Sequence, residues 1–109
     1  NKGNRSKAGD YANEALKLNG NNGDAYLIKA SIIASSACGT SRFDDQAINW
    51  AAYDMAAKAK SIDSSVSSQA SRDMARYQAR FPEKGDVFSQ GLQTGQAYKT
   101  CNGYSTTVK

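Results

Sequence analysis

Two cysteines, Cys38 and Cys101, a file of arginines at Arg72, Arg76 and Arg80, and the acidic pair Asp44-Asp45 are the side chains whose type and spacing could support chemistry. Histidine is absent, which removes the usual general base and the commonest metal ligand. The only glutamates, Glu14 and Glu83, are far apart in sequence and form no obvious carboxylate pair. Asp44-Asp45 precedes a helical pattern, where the helix dipole favours acids, so it reads as a helix start rather than a general acid. Cys38 has no recognisable activating base. Two cysteines without histidine do not complete a tetrahedral zinc site, and no glycine-rich phosphate loop follows a strand. The chain is expected to be non-catalytic and to use no metal or cofactor.

The arginines lie at steps of four on one helix, about 200° around it from the stripe of Ala70 and Met74. Such a row could hold phosphate, acidic peptide or nucleic acid. The plainer reading is a solvated face with local pairing, for instance to Asp73. Only one helix carries the row. The net charge of +4 comes from 14 basic and 10 acidic residues, well interspersed. A nucleic-acid partner is therefore not expected, and anion binding through Arg72, Arg76 and Arg80 stands as the alternative function. Trp50 reads as core on its helical spacing. Asn4-Arg5-Ser6 matches a glycosylation acceptor, a motif too short to carry weight.

The elements that position these residues are helical. The hydrophobic fraction is 39%, much of it alanine, and the mean hydropathy is −0.65. Closely packed helices can use alanine, whereas a sandwich of strands needs branched residues. No apolar run is long enough for a transmembrane segment. Ala8, Tyr11, Ala12, Ala15 and Leu18 predict a first helix over 5–18, stopped by Asn19-Gly20-Asn21-Asn22-Gly23. A second runs from Asp24, a plausible cap, to Ala37, with Tyr26, Leu27, Ala30, Ile33 and Ala34 on its stripe. A third, over 43–60, carries two apolar rows: Phe43, Ala47 and Trp50, then Ile48, Ala52, Met55 and Ala59. A helix apolar on more than one side is expected between two others. A fourth, over 65–81, spaces Val66, Ala70, Met74, Tyr77 and Phe81 before Pro82 ends it.

Beyond Pro82 glycines break the pattern, leaving room for one helical turn around Val87 to Leu92. Asn102-Gly103, between segments rich in Tyr, Thr and Val, predicts a β-hairpin over 97–108. Two strands of that length are not stable alone in water, so the hairpin must pack on the helices or be tied to them.

These residues resemble a known family. Ala15-Leu16-Lys17-Leu18-Asn19-Gly20-Asn21-Asn22 is similar to the end of a tetratricopeptide repeat, with Gly20 where the usual proline stands. Tyr26 then falls at the large aromatic position of the next repeat, Ala30 at its small position, Ile33 at its second bulky position, and Ala47 at the small position of the partner helix. The turn Ser35 to Arg42 is wider than usual, and the partner helix runs long before Ala59-Lys60-Ser61-Ile62-Asp63. Ser36-Ala37-Cys38-Gly39, Trp50-Ala51-Ala52, Phe81-Pro82, and Cys101 with Thr106-Thr107-Val108 resemble the C-terminal repeat-and-cap region of exported repeat proteins of Gram-negative bacteria.

The resemblance implies an all-α, right-handed helical repeat with a small C-terminal hairpin. Residues 1–81 would hold a half repeat (5–18), a full repeat (24–63) and a capping helix (65–81), with a tail over 82–109. It implies a non-catalytic module for protein–protein interaction or scaffolding, cut from a longer protein, or a purely structural solenoid cap. The partner would be a protein or peptide. The groove positions that carry over are Asp24, Leu27, Ser31, Ala34 and Ser35. The uncovered first helix suggests self-association along Tyr11, Ala12 and Ala15. An even cysteine count in an exported chain points to a Cys38–Cys101 disulfide and an extracytoplasmic location; two buried thiols in a cytosolic protein are the other reading.

Overall fold

A computed structural model describes residues 2–109, with side chains from Lys7 onward; Asn4-Arg5-Ser6 therefore lies outside the described side chains. Five helices are followed by two short strands: α1 Lys2–Leu18, α2 Gly23–Ser35, α3 Arg42–Ile62, α4 Ser67–Gln78, α5 Lys84–Ser89, β1 Ala97–Lys99 and β2 Ser105–Thr107. A single 3-10 turn, Ser64–Val66, leads into α4. The fold is mostly helical with one small antiparallel sheet. No helix among the described residues is long and apolar enough to cross a membrane.

The second, third and fourth helices each lie antiparallel to the one before. Gly9 of α1 faces Ile32 of α2, while Lys29 Nζ donates to Asn13 Oδ1 at 3.2 Å, so the numbering descends on one helix as it rises on the other. The start of α2 meets the end of α3, and Tyr53 of α3 stacks edge-on against Phe81, beyond the end of α4. Ala12 is turned into the protein and fully buried. The expected patch of Tyr11, Ala12 and Ala15 is thus redrawn, because the apolar surface left outside is Tyr11, 65% exposed, and Leu18, 85% exposed.

The core explains the alanine content. Ala51, Ala52, Ala56 and Ala59 of α3 lie among Leu27, Ala30 and Ile33 of α2 and Val66, Ala70 and Tyr77 around α4. Small side chains let the helix backbones approach, which compensates in dispersion contacts for the little area each alanine buries. A second cluster covers the remaining apolar row of α3: Ala47 and Trp50 meet Val87 of α5 and Val108 of the tail. The third helix is therefore enclosed by α2 and α4 on one side and by the tail on the other.

Two helix starts differ from expectation. Asn22, not Asp24, caps α2, its Oδ1 accepting from the Ala25 N–H at 3.1 Å. Gly23 becomes the first helical residue because that position is pressed against Asp63 and Val66. A Cβ there would stand 2.5 Å from Val66 Cγ2 and 2.7 Å from Asp63 Cβ. In return, the Gly23 N–H donates to Asp63 Oδ2 at 2.9 Å. Asp63 Oδ1 accepts from the Ser65 N–H at 3.0 Å and from the Ser65 hydroxyl. The second change is that the fourth helix is shorter than 65–81, opening with the 3-10 turn and ending at Gln78 in a run of tight turns.

We expect Gly23→Ala to cost about 1–3 kcal/mol, the usual range for overpacking, as read from the midpoint of urea unfolding. A loss within error of zero would mean that the α2–α3 contact yields freely. The Ser65 hydroxyl and the Gly23 N–H hold the Asp63 carboxyl below its ordinary value of 3.8. Its contribution to stability is complete above that value and is lost as pH falls through the lowered one. Thermal unfolding of wild type and Asp63→Asn should therefore differ at pH 6 and converge as pH falls through the lowered Asp63 value.

Candidate functional site

The groove positions inferred from the resemblance do not stay together. Leu27 is only 8% exposed and belongs to the main core, so it is not a groove contact. Asp24 sits exposed in the first turn of α2, about two turns before Ser31. Ser31, Ala34 and Ser35, in contrast, line one small hollow of about 140 Å³ with Arg76, Tyr77 and Arg80. Two sets of residues far apart in sequence, one read as a peptide groove and one as an anion row, form a single surface.

The arginine row is not uniform. Arg72 Nη2 donates to Gln69 Oε1 at 2.8 Å, on the same helix. Arg76 pairs with Asp73 at 3.3 Å and lies over the Tyr77 ring, 5.2 Å from its centroid. These two follow the plainer expectation of local pairing. The Arg80 guanidinium has no hydrogen-bond or ion-pair partner among the described residues. Tyr77 itself is buried beside the hollow, and burial pushes its phenol above the usual value.

The disulfide lies at the end of α2 nearest this surface. Cys38 and Cys101 are bonded at 2.09 Å, with 6.3 Å between Cα atoms. The wide turn that carries Cys38 is shaped by the start of α3. Asp45 Oδ1 accepts from the N–H groups of Cys38 at 2.8 Å and Gly39 at 3.1 Å, with Gly39 at φ +72°. The Ser41 hydroxyl caps α3 by accepting from the Asp44 N–H at 3.0 Å. Gly39 thus belongs to the cysteine turn, while α2 has already ended at Ser35. Asp45 lies close to both sulfurs, but sulfurs bonded to each other offer no thiolate, so the cluster is structural.

The hairpin departs from the two-residue Asn-Gly turn that its sequence suggests. Cys101, Asn102 and Gly103 form a three-residue loop, in which the Gly103 N–H donates to the Thr100 carbonyl at 2.9 Å. Gly103 alone takes a positive φ, 93°. The longer loop frees Asn102 to face the helices, its Nδ2 donating to the carbonyls of Ile33 at 3.2 Å and Ser36 at 3.3 Å. Both lie at the end of α2, where the Ile33 carbonyl also accepts from the Ser36 N–H at 3.2 Å and the Ser36 carbonyl stands past the last helical residue. Farther along, the Thr106 hydroxyl donates to Asp54 Oδ2 and Lys109 Nζ pairs with Asp54 Oδ1 at 2.9 Å. Tyr98 stacks edge-on against Trp50, centroids 5.3 Å apart.

Sequence reasoning missed Asp45, Asn102 and Asp54 as tethers, since their partners are set by the three-dimensional path. It also missed Asn49. That residue carried a readable signal, a polar side chain between Ile48 and Trp50 in an otherwise apolar stretch. Comparison with protein-family models, with curated proteins and with solved structures found no match to this chain.

A bridge spanning 63 residues is worth roughly 4 kcal/mol on chain entropy. Cys38→Ser with Cys101→Ser should destabilise by about 2–4 kcal/mol. On reduction, hydrogen exchange should rise first over 97–107, with the helices still protected. Protein prepared under oxidising conditions should be two hydrogens lighter than the reduced form by mass spectrometry. Two free thiols in that preparation would remove the tether.

Proposed function

We propose that this chain is a non-catalytic protein-interaction module, a tetratricopeptide-like repeat segment whose exposed α2–α4 hollow receives a segment of a partner protein. The observation that carries this reading is the meeting of Ser31, Ala34 and Ser35 with Arg76 and Arg80 around one depression. The Ser31 hydroxyl suits the backbone of an extended segment, and the Arg80 guanidinium suits an acidic side chain on it. An extracytoplasmic location is consistent with the disulfide. A second reading, a structural cap for a longer solenoid, draws on α5 and the hairpin, which cover the Trp50 face of α3. Anion binding by the full row has less support, because Arg72 and Arg76 already have local partners.

Selection of a displayed random-peptide library against the oxidised protein tests the first reading. Enriched peptides should be acidic and should lose at least tenfold in affinity against Arg76→Glu with Arg80→Glu, or against Ala34→Trp. Both variants alter exposed or half-buried positions, so circular dichroism should match wild type. Failure to enrich any sequence, or affinity untouched by both variants, would leave the cap reading in its place.

A further inference from the structure

A second hollow, of about 650 Å³, opens where the end of α2, the start of α3 and the turn after α4 meet. Its volume falls in the range of roughly 300–1,000 Å³ typical of small-molecule sites. The side chain that marks it is Asn49, which lines the hollow and is only 5% exposed. Its Nδ2 donates to the Gln46 carbonyl at 3.1 Å, while its Oδ1 is buried with no hydrogen-bond partner. Turning the amide over would set oxygen against oxygen at Gln46, so the unpaired atom is an acceptor. Native proteins seldom leave such an atom unmatched.

Three charges share the hollow with it. Arg42, from the first residue of α3, and Arg80, from the turn after α4, both line it. Neither guanidinium has a hydrogen-bond or ion-pair partner among the described residues. Asp45 also lines the hollow, fixed through Oδ1 by the N–H groups of Cys38 and Gly39 and leaving Oδ2 unengaged. Ala34, Ala37 and Ile48 supply apolar wall. Two unpaired cations ask for an anion, and planar guanidiniums match a carboxylate well. The buried Asn49 oxygen and the Asp45 carboxylate ask for N–H donors. A donor-bearing nitrogen close to a carboxylate is the chemistry of an amino-acid unit.

We propose that this hollow binds an amino acid or short peptide, its carboxylate held by Arg42 and Arg80 and its N–H groups by Asp45 and by Asn49 Oδ1, which is sealed from solvent in the free protein and is opened to the hollow by a shift of the Asn49 side chain. A bare anion would satisfy the arginines and leave the buried acceptor unpaired. A neutral amide would do the reverse. The site therefore selects for both groups together. The inference rests on the unmatched Asn49 oxygen and not on the peptide-binding reading of the neighbouring hollow, with which it shares Ala34 and Arg80.

The test is a titration of the oxidised, isotope-labelled full chain, followed by its backbone amide signals. The probes are L-glutamate, glycyl-L-glutamate, inorganic phosphate and glycinamide. We expect saturable shifts clustered at Ala37, Asp45, Asn49 and Arg80 with one or both of the first two. Phosphate and glycinamide should bind at least tenfold more weakly. Preference for glutamate identifies the free amino acid as the ligand; preference for the dipeptide identifies a peptide. Asn49→Leu, close in size but without the acceptor, and Arg80→Gln, at an exposed position, should each weaken binding at least tenfold. Arg76→Gln, which lines only the neighbouring hollow and places no acid four residues before Arg80, should leave it unchanged and so separates the two sites. Phosphate binding as tightly as the best probe, or no saturable shift with either carboxylate, would overturn the proposal. So would affinity unchanged in Arg80→Gln, a result that stands even if Asn49→Leu does not fold.

Discussion

The contact between Gly23 and Asp63 fixes how α2 and α3 sit together, and the other elements are laid against that pair. No side chain at residue 23 could be housed between Val66 and the Asp63 Cβ. With glycine there, the first N–H of α2 reaches a carboxylate that also organises the turn into α4. One acidic side chain thereby satisfies the opening of two helices and follows directly on the end of a third. Helix starts leave N–H groups unpaired, and here those of different segments are answered by the same group.

The opposite end of the α2–α3 pair is closed by other means. Asp45 draws in the Cys38 turn, Asn102 bonds the last carbonyls of α2, and the disulfide joins the two. Between these closures the interface is built mainly of alanine against larger side chains of α2 and α4. Such an interface gains little area per residue and depends on close approach. Closures at both ends maintain that approach. The two surface hollows lie near the disulfide end, where the α2–α3 turn widens and the backbone leaves the regular helix ladder.

Much of the helical content was legible in the sequence because three- and four-residue spacing is a local signal. The first three helices follow that spacing closely, whereas the fourth ends at Gln78, short of the expected Phe81. The caps were less legible: Asp24 looked like a helix start, and only the press of Val66 and Asp63 explains why the helix begins one residue earlier behind Asn22. Likewise Asn102-Gly103 has the composition of a two-residue turn, but two α2 carbonyls recruit the asparagine and lengthen the loop. The site was legible only in pieces. Ser31, Ala34, Ser35, Arg76 and Arg80 were singled out for separate reasons, and their convergence depends on packing that no local pattern encodes. The spacing put Leu27 on the buried stripe of α2, where the structure has it; its place among the groove positions came only from the resemblance.

The Cys38–Cys101 bond also determines how the molecule transmits mechanical load. Tension applied between a point before Cys38 and a point after Cys101 passes through α1, α2, the sulfur–sulfur bond and the final strand. The backbone between the cysteines is bypassed. It contains α3, α4, α5 and the first strand, and its extended length would be roughly 220 Å at about 3.5 Å per residue. While oxidised, that length is withheld from stretching, and a pull reaches α3 only sideways, through its contacts with α2 and with the final strand and tail. Reduction would return the hidden length to the load path and turn a short, stiff connector into a long, extensible one.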